Sequence, residues 1–213
     1  MKKITLAVPK GRILQDLLPL FKKINLQPEP DFFNENSRKL FFATNLENLE
    51  IIKVRSFDVA TFVKFGGADL GICGFDVLSE FPSKQIFLML DLKIGKCRLS
   101  IAGKKNSQLN LAQATSLRIA TKYVNITSDY FSQKGIQAEI VKLSGSVEIA
   151  SWLNLADFIV DLVSTGKTLL ENNMQEIATI LEVSSCLIVN RTAFKVNNFN
   201  LNNIIARFNE ISV

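Results

Sequence analysis

The residues best suited to chemistry lie in Asp157–Leu170, D-F-I-V-D-L-V-S-T-G-K-T-L-L. An apolar run, Phe158-Ile159-Val160, reaches an acid, Asp161. Leu162 and Val163 follow, and then a small hydroxyl-rich turn, Ser164-Thr165-Gly166-Lys167-Thr168, leads into helix-favouring residues. A buried strand that ends in such a loop at a helix start aims free backbone N–H groups and a helix dipole at one place, which suits a phosphate. Gly166 supplies the positive φ that a tight loop needs and lets an anion approach the backbone. Ser164, Thr165 and Thr168 add hydroxyl donors. Asp161 would repel a phosphate but suits sugar hydroxyls or a metal-bound ligand, so the segment reads as a site for a phosphorylated sugar. Gly166-Lys167-Thr168 imitates the end of a P-loop, but that motif needs glycine where Asp161 stands. An ordinary strand-to-helix turn with Ser/Thr capping is the other reading.

The chain around this segment has 213 residues, 47% hydrophobic and 21% charged, which fits one α/β unit or two lobes with real cores. Its 25 basic and 20 acidic residues form no dense cationic run, so the charge suits anionic metabolites rather than nucleic acid. The start M-K-K-I-T-L-A-V is interrupted by Pro9, Lys10 and Arg12 too early for a signal peptide, and no apolar run approaches a membrane span. Cys73, Cys97 and Cys186 are widely spaced and read as reduced core thiols of a cytoplasmic protein. Histidine is absent altogether. That excludes Ser-His-Asp and Cys-His nucleophiles and His-based metal sites, and leaves carboxylates, Lys/Arg, backbone amides or a substrate-borne metal to act.

Hydrophobic periodicity predicts the elements that must hold the loop. Ile4–Val8 reads as a strand, followed by a helix with Ile13, Leu17, Phe21 and Ile24 on one face and Pro19 as a possible kink. Lys39–Thr44 and Glu50–Arg55 read as strands. Ser56 is the expected cap of a helix ending at Gly66-Gly67, and Asp69–Cys73 is a buried strand before a short helix. Phe87–Ala102 reads as one long extended segment, and Ile177–Asn190 as another. Between them strands at Leu117–Thr121, Glu139–Leu143 and Phe158–Val163 alternate with helices at Ser128–Gln133, Val147–Leu153 and Thr168–Asn172, which predicts a parallel sheet. A last helix after Asn200 carries Leu201, Ile204, Ile205, Phe208 and Ile211. The expected assembly is α/β with two lobes, residues 1–91 plus 179–213 and residues 92–178, joined by two extended crossings. Its active site is expected in the cleft, where strand C-terminal ends meet.

Several segments, in order along nearly the whole chain, resemble the short form of the ATP phosphoribosyltransferase family. They are Leu6–Ile13, Ser37–Leu40, Val54–Val59, Gly66–Leu78, Asp91–Leu99, Arg118–Asn125, Lys142–Ala150, Asp157–Leu169 and Leu187–Arg191. The resemblance implies a fold like the periplasmic-binding-protein type II fold. It implies Mg²⁺-dependent transfer of 5-phosphoribosyl from phosphoribosyl pyrophosphate to N1 of ATP, releasing pyrophosphate, as the first step of histidine biosynthesis. It also implies a homodimer of catalytic chains and a histidyl-tRNA-synthetase-like regulatory subunit in a hetero-octamer; charge and hydropathy lead us to expect no nucleic acid and no membrane as partner. Adenine N1 is unprotonated at neutral pH, so the lack of histidine agrees with this chemistry; cationic clamping and positioning remain to be supplied.

By the same resemblance, Ser164, Thr165, Gly166, Lys167 and Thr168 cradle the 5′-phosphate, and Glu148 and Asp161 contact ribose hydroxyls. Arg12 and Arg38 are the expected catalytic cations on the pyrophosphate and ATP phosphates. Lys10, Gly11, Arg55 and Asp69 are the ATP-side residues, and Mg²⁺ is held mainly by substrate. The chain departs from the family pattern at Lys167, where Asn is usual, at Cys186, where Arg is usual, and at Asn154, where Gly is frequent. A non-catalytic two-lobed small-molecule binding protein, or a transferase acting on another base, are the competing functions. Orotate- and purine-type transferases carry two adjacent acids before the turn, whereas Leu162 follows Asp161 here.

Overall fold

A computed structural model describes residues 3–105, 107 and 116–210. The chain divides into two compact units, Met1–Gly95 with Ser184–Val213, and Lys96–Val183.

In the first unit the strands are β1 (Ile4–Pro9), β2 (Phe41–Ala43), β3 (Leu49–Val54), β4 (Leu70–Gly74), β5 (Ile86–Asp91) and, from the end of the chain, β11 (Ser185–Asn190). They form one sheet in the order β2-β3-β1-β4-β11-β5. β1 pairs in parallel with β3 and β4, while β2, β11 and β5 join antiparallel. Every residue of β1 is buried because both faces are covered. On one face Leu6 and Val8 pack with Leu17 and Phe21 of α1 (Arg12–Lys23) and with Leu201 and Phe208 of α8 (Asn198–Asn209). The Phe21 and Phe208 rings meet edge to face at 6.3 Å. On the other face Ala7 and Ile188 pack with Val59 and Val63 of α2 (Ser56–Lys64). That helix lies so close that a Cβ on Gly71 of β4 would come within 2.8 Å of both valines' methyl carbons, so the approach requires glycine. α3 (Phe75–Glu80) follows β4, and α7 (Arg191–Val196) lies between β11 and α8.

The second unit contains β6 (Cys97–Lys104), β7 (Ser116–Thr121), α4 (Val124–Gln133), β8 (Gln137–Lys142), α5 (Glu148–Trp152), β9 (Phe158–Val163), α6 (Lys167–Glu171) and β10 (Met174–Val183). The sheet order is β10-β6-β9-β7-β8. β7 is parallel to β8 and β9, as the alternation predicts, but β6 pairs antiparallel with both β9 and β10, so the sheet is mixed.

Other expectations are corrected too. Phe87–Ala102 is not one strand. Lys93 and Gly95 turn the backbone to positive φ between β5 and β6, and the two strands belong to different sheets. Ile177–Asn190 breaks likewise at Ser184. The helix α1 continues through Pro19. Ser56 is the first helical residue rather than a cap, and the capping position holds Arg55 with no side-chain hydrogen bond. Ile211 of the expected last helix lies outside the described residues. All three cysteines are buried and none forms a disulfide. Desolvation pushes the Cys73 thiol well up and the Cys186 thiol to about 11, so both stay protonated near neutrality.

Candidate active site

In the second unit the parallel strands β7, β8 and β9 end at one edge of their sheet, and the candidate residues follow them there. Asp161 lies near the end of β9, and Ser164 and Thr165 leave it exposed. Gly166 then takes the left-handed conformation, φ 76° and ψ 0°, as the N-cap of α6. A turn built only to cap a helix would direct its hydroxyls at the first N–H groups. Here α6 has no side-chain cap bond, and Thr165 Oγ1 accepts only a long contact, 3.4 Å, from Lys167 N. The hydroxyls of Ser164 and Thr168 have no partner among the described residues. Donors thus remain available for a ligand.

Lys122, immediately after β7, places Nζ 3.5 Å from Asp161 Oδ1. That oxygen is shielded from solvent and accepts no hydrogen bond, so this is an ion pair held by charge alone. Glu148 begins α5, which follows the end of β8 and packs on β9 and β6. The structure therefore brings Glu148, Asp161 and the loop to one sheet edge.

The departures from the family pattern have local accounts. Lys167 is exposed and lies along its own helix, 3.6 Å from Glu171. Asn154 has φ 55°, which explains glycine as the usual residue, and asparagine tolerates this conformation. Cys186 is buried in β11 opposite Cys73 of β4.

In the first unit Lys10 and Gly11 follow β1, Arg12 opens α1 and Arg55 follows β3, all at the C-terminal edge of the parallel strands. Gly11 needs its glycine, with φ 88° as the N-cap of α1. Arg38 reaches the same edge because β2 runs antiparallel to β3, with Phe41 opposite Ile52. A cavity of about 630 Å³ opens there, lined by Lys10, Gly11, Arg38 and Lys53 with apolar Leu14, Phe41 and Phe62. Cations beside apolar walls suit a nucleotide, whose base and phosphates need both. Arg12 and Arg55 stand at this edge but do not line the cavity.

Sequence reasoning missed Lys53, whose Nζ donates to Phe32 O at 2.7 Å and lies 4.7 Å from the centre of the Phe42 ring. Desolvation, and then the charge of Lys10, lower its pKa. Nothing in a strand of alternating residues marks such a lysine. Lys122 and Arg98 were missed as well, although both lie inside segments that carry the family resemblance.

Asp69 is not brought to this site. It precedes β4 at the opposite end of the sheet, where Oδ2 accepts the Thr5 N–H at 2.9 Å. A cavity of about 710 Å³ opens at that end, but its Asn190 side chain is committed to Val63 O and Ala193 N. We therefore expect Asp69→Ala to reduce stability by about 1–3 kcal/mol while leaving both substrate KM values unchanged. Denaturant unfolding beside steady-state kinetics checks this; a raised ATP KM in a stable variant would return Asp69 to the site.

The sequence model of the ATP phosphoribosyltransferase family matches residues 55–210. An ATP phosphoribosyltransferase of Sphingopyxis alaskensis is 48% identical over 207 residues, covering 97% of this chain and 93% of its own. Another, of Rhizorhabdus wittichii, is 53% identical over 194 residues, covering 90% and 88%. The chain belongs to the ATP phosphoribosyltransferase family. It is thereby a pentosyltransferase of histidine biosynthesis. Among solved structures, the ATP phosphoribosyl transferase (HisG:HisZ) complex from Thermotoga maritima matches with TM-score 0.82 and 30% identity over 98% of both chains. The periplasmic aliphatic sulphonate binding protein SsuA from Escherichia coli matches at TM-score 0.61 and 13% identity, covering 100% of this chain and 69% of its own. The fold of this ATP phosphoribosyltransferase family member is thus the two-lobed α/β type of periplasmic binding proteins, and membership of the family sets aside the non-catalytic reading.

Proposed function

We propose that this chain transfers the 5-phosphoribosyl group of phosphoribosyl pyrophosphate to N1 of ATP. The N1 lone pair forms the bond to the ribose C1, and the C1–oxygen bond breaks with its electrons leaving on pyrophosphate. The reading rests above all on the loop Ser164–Thr168, whose exposed, uncommitted donors follow the Asp161 strand. In it the loop holds the 5′-phosphate, and Asp161 and Glu148 engage the ribose hydroxyls. Lys10, Gly11 and Arg55 serve ATP. Arg12 and Arg38 neutralise the leaving pyrophosphate and the ATP phosphates, where positioning and charge do most of the work.

Mg²⁺ fits this donor set. Asp161 Oδ1 is a shielded carboxylate oxygen without a hydrogen bond, with Lys122 Nζ 3.5 Å away as a cation that Mg²⁺ would displace, and hard cations take such ligands. In the proposal the ion is held mainly by the substrate, as hard cations on pyrophosphate often are. Bound there, it neutralises pyrophosphate charge. The likeness to the HisG:HisZ complex from Thermotoga maritima supports a second, regulatory subunit as partner; within the proposal that subunit resembles histidyl-tRNA synthetase and the assembly is a hetero-octamer built on homodimers of this chain. That none of the three buried cysteines forms a disulfide supports a cytoplasmic location.

The base specificity gives a direct test. With the partner present, pyrophosphate release should require phosphoribosyl pyrophosphate and ATP together. Equal release with hypoxanthine or orotate in place of ATP would overturn the assignment.

A further inference from the structure

One ionic cluster outside the residues assigned above touches the backbone of the loop itself. Arg98 on β6 donates from Nε to Glu176 Oε1 at 2.5 Å and from Nη2 to Glu176 Oε2. Its remaining arm, Nη1, makes a long contact, 3.4 Å, with the carbonyl oxygen of Ser164. Glu176 lies on β10, and its Oε1 also accepts from Ser100 Oγ at 2.7 Å and Thr179 Oγ1 at 3.4 Å. A bulge makes this convergence possible. Glu176 pairs with Ala102 but Ala178 pairs with Ile101, so the extra residue Ile177 puts Glu176 and Thr179 on the face that carries Arg98 and Ser100. On the neighbouring strand Ser100 pairs with Asp161 and Arg98 with Val163, the residue just before the loop.

The Ser164 carbonyl, at the loop's start, would repel an anion if it swung inward. A cation holding that oxygen keeps the following N–H groups turned toward the ligand. Glu176 cancels the charge of Arg98 and fixes its plane through a two-pronged pair, so the effect of Arg98 is orientation rather than attraction. The mutual hydrogen bonding raises the Arg98 pKa and lowers that of Glu176, which keeps the pair ionised.

We propose that Arg98, clamped by Glu176, is the positioning residue of the phosphate loop and sets its affinity for the 5′-phosphate of phosphoribosyl pyrophosphate. This rests on the reading of Ser164–Thr168 as the phosphate loop.

The test measures phosphoribosyl pyrophosphate binding by calorimetry, with steady-state kinetics and thermal unfolding alongside, on Arg98→Met, Glu176→Ala, the double variant and Arg98→Lys. Each of the first two should weaken binding about tenfold, the scale of a lost charged hydrogen bond, and the double variant should be no weaker than either. The ATP KM and kcat at saturation should stay within about twofold of the parent, and Arg98→Lys, with three donors on its ammonium, should recover most of the affinity. Tighter binding in Glu176→Ala would mean that Arg98 is a direct anion ligand restrained by Glu176, and would overturn the proposal. Reduced thermal stability with unchanged affinity would also overturn it, by making the pair purely structural. Gly166→Val separates the premises: if it binds normally, the loop reading fails, whereas if it alone loses binding, only the role of Arg98 fails.

Discussion

Gly166→Val should abolish binding of phosphoribosyl pyrophosphate, raising its dissociation constant by about two orders of magnitude or more, while the protein stays folded. Gly166 sits at φ 76°, and a non-glycine residue there carries roughly 1–2 kcal/mol of strain. The fold accommodates the side chain, since the nearest atom to an added Cβ is Val163 Cγ1 at 4.0 Å. In the proposed site a phosphate reaches the loop N–H groups through the open space that admits the branch, so the damage should fall on the ligand. Thermal unfolding and calorimetry measure the two effects separately. Unchanged affinity in a folded variant would remove the loop from the site.

Arg38→Ala should lower kcat by far more than it raises either KM. A cation placed to meet charge that develops on a departing pyrophosphate acts chiefly in the transition state. Groups of that kind are worth roughly 2–4 kcal/mol, or about 30- to 1000-fold in rate. Arg38 is exposed and lines the cavity of the first unit beside Lys10 and Gly11, so its removal leaves no buried charge unpaired and should not unfold the chain. An increase confined to the ATP KM would make it a ground-state binding residue instead.

The sequence was most legible where one residue type has few structural uses. Gly166 after a strand, in a run of hydroxyl residues, announced a left-handed turn, and the turn is there. The α/β alternation from Leu117 onward announced β7, β8 and β9 in parallel because local periodicity records each element's own burial. Strand direction between distant segments leaves no such record, so the antiparallel entry of β6 and β10 stayed hidden. The breaks at Lys93 and Ser184 are only a few residues long and stand between strands, which is why each pair of strands read as one. Asp69 shows the same limit at the site. A carboxylate beside a buried strand looks alike whether it meets a ligand or the Thr5 N–H, and only the register decided. Arg98, Lys53 and Lys122 depend on partners 78, 21 and 39 residues away (Glu176, Phe32 and Asp161), and their roles come from pairings no local pattern encodes.

The central claim is the transfer itself, and one product analysis tests it most directly. The chain, with the proposed regulatory subunit, is incubated with ATP, phosphoribosyl pyrophosphate and Mg²⁺, and the nucleotide product is weighed by mass spectrometry and mapped by NMR with nitrogen-labelled adenine. The expected result is a nucleotide heavier than ATP by one phosphoribosyl group, attached at N1, with one pyrophosphate released for each molecule formed. ATP recovered unchanged beside hydrolysed phosphoribosyl pyrophosphate, or a phosphoribosyl group attached at any other atom, would contradict it.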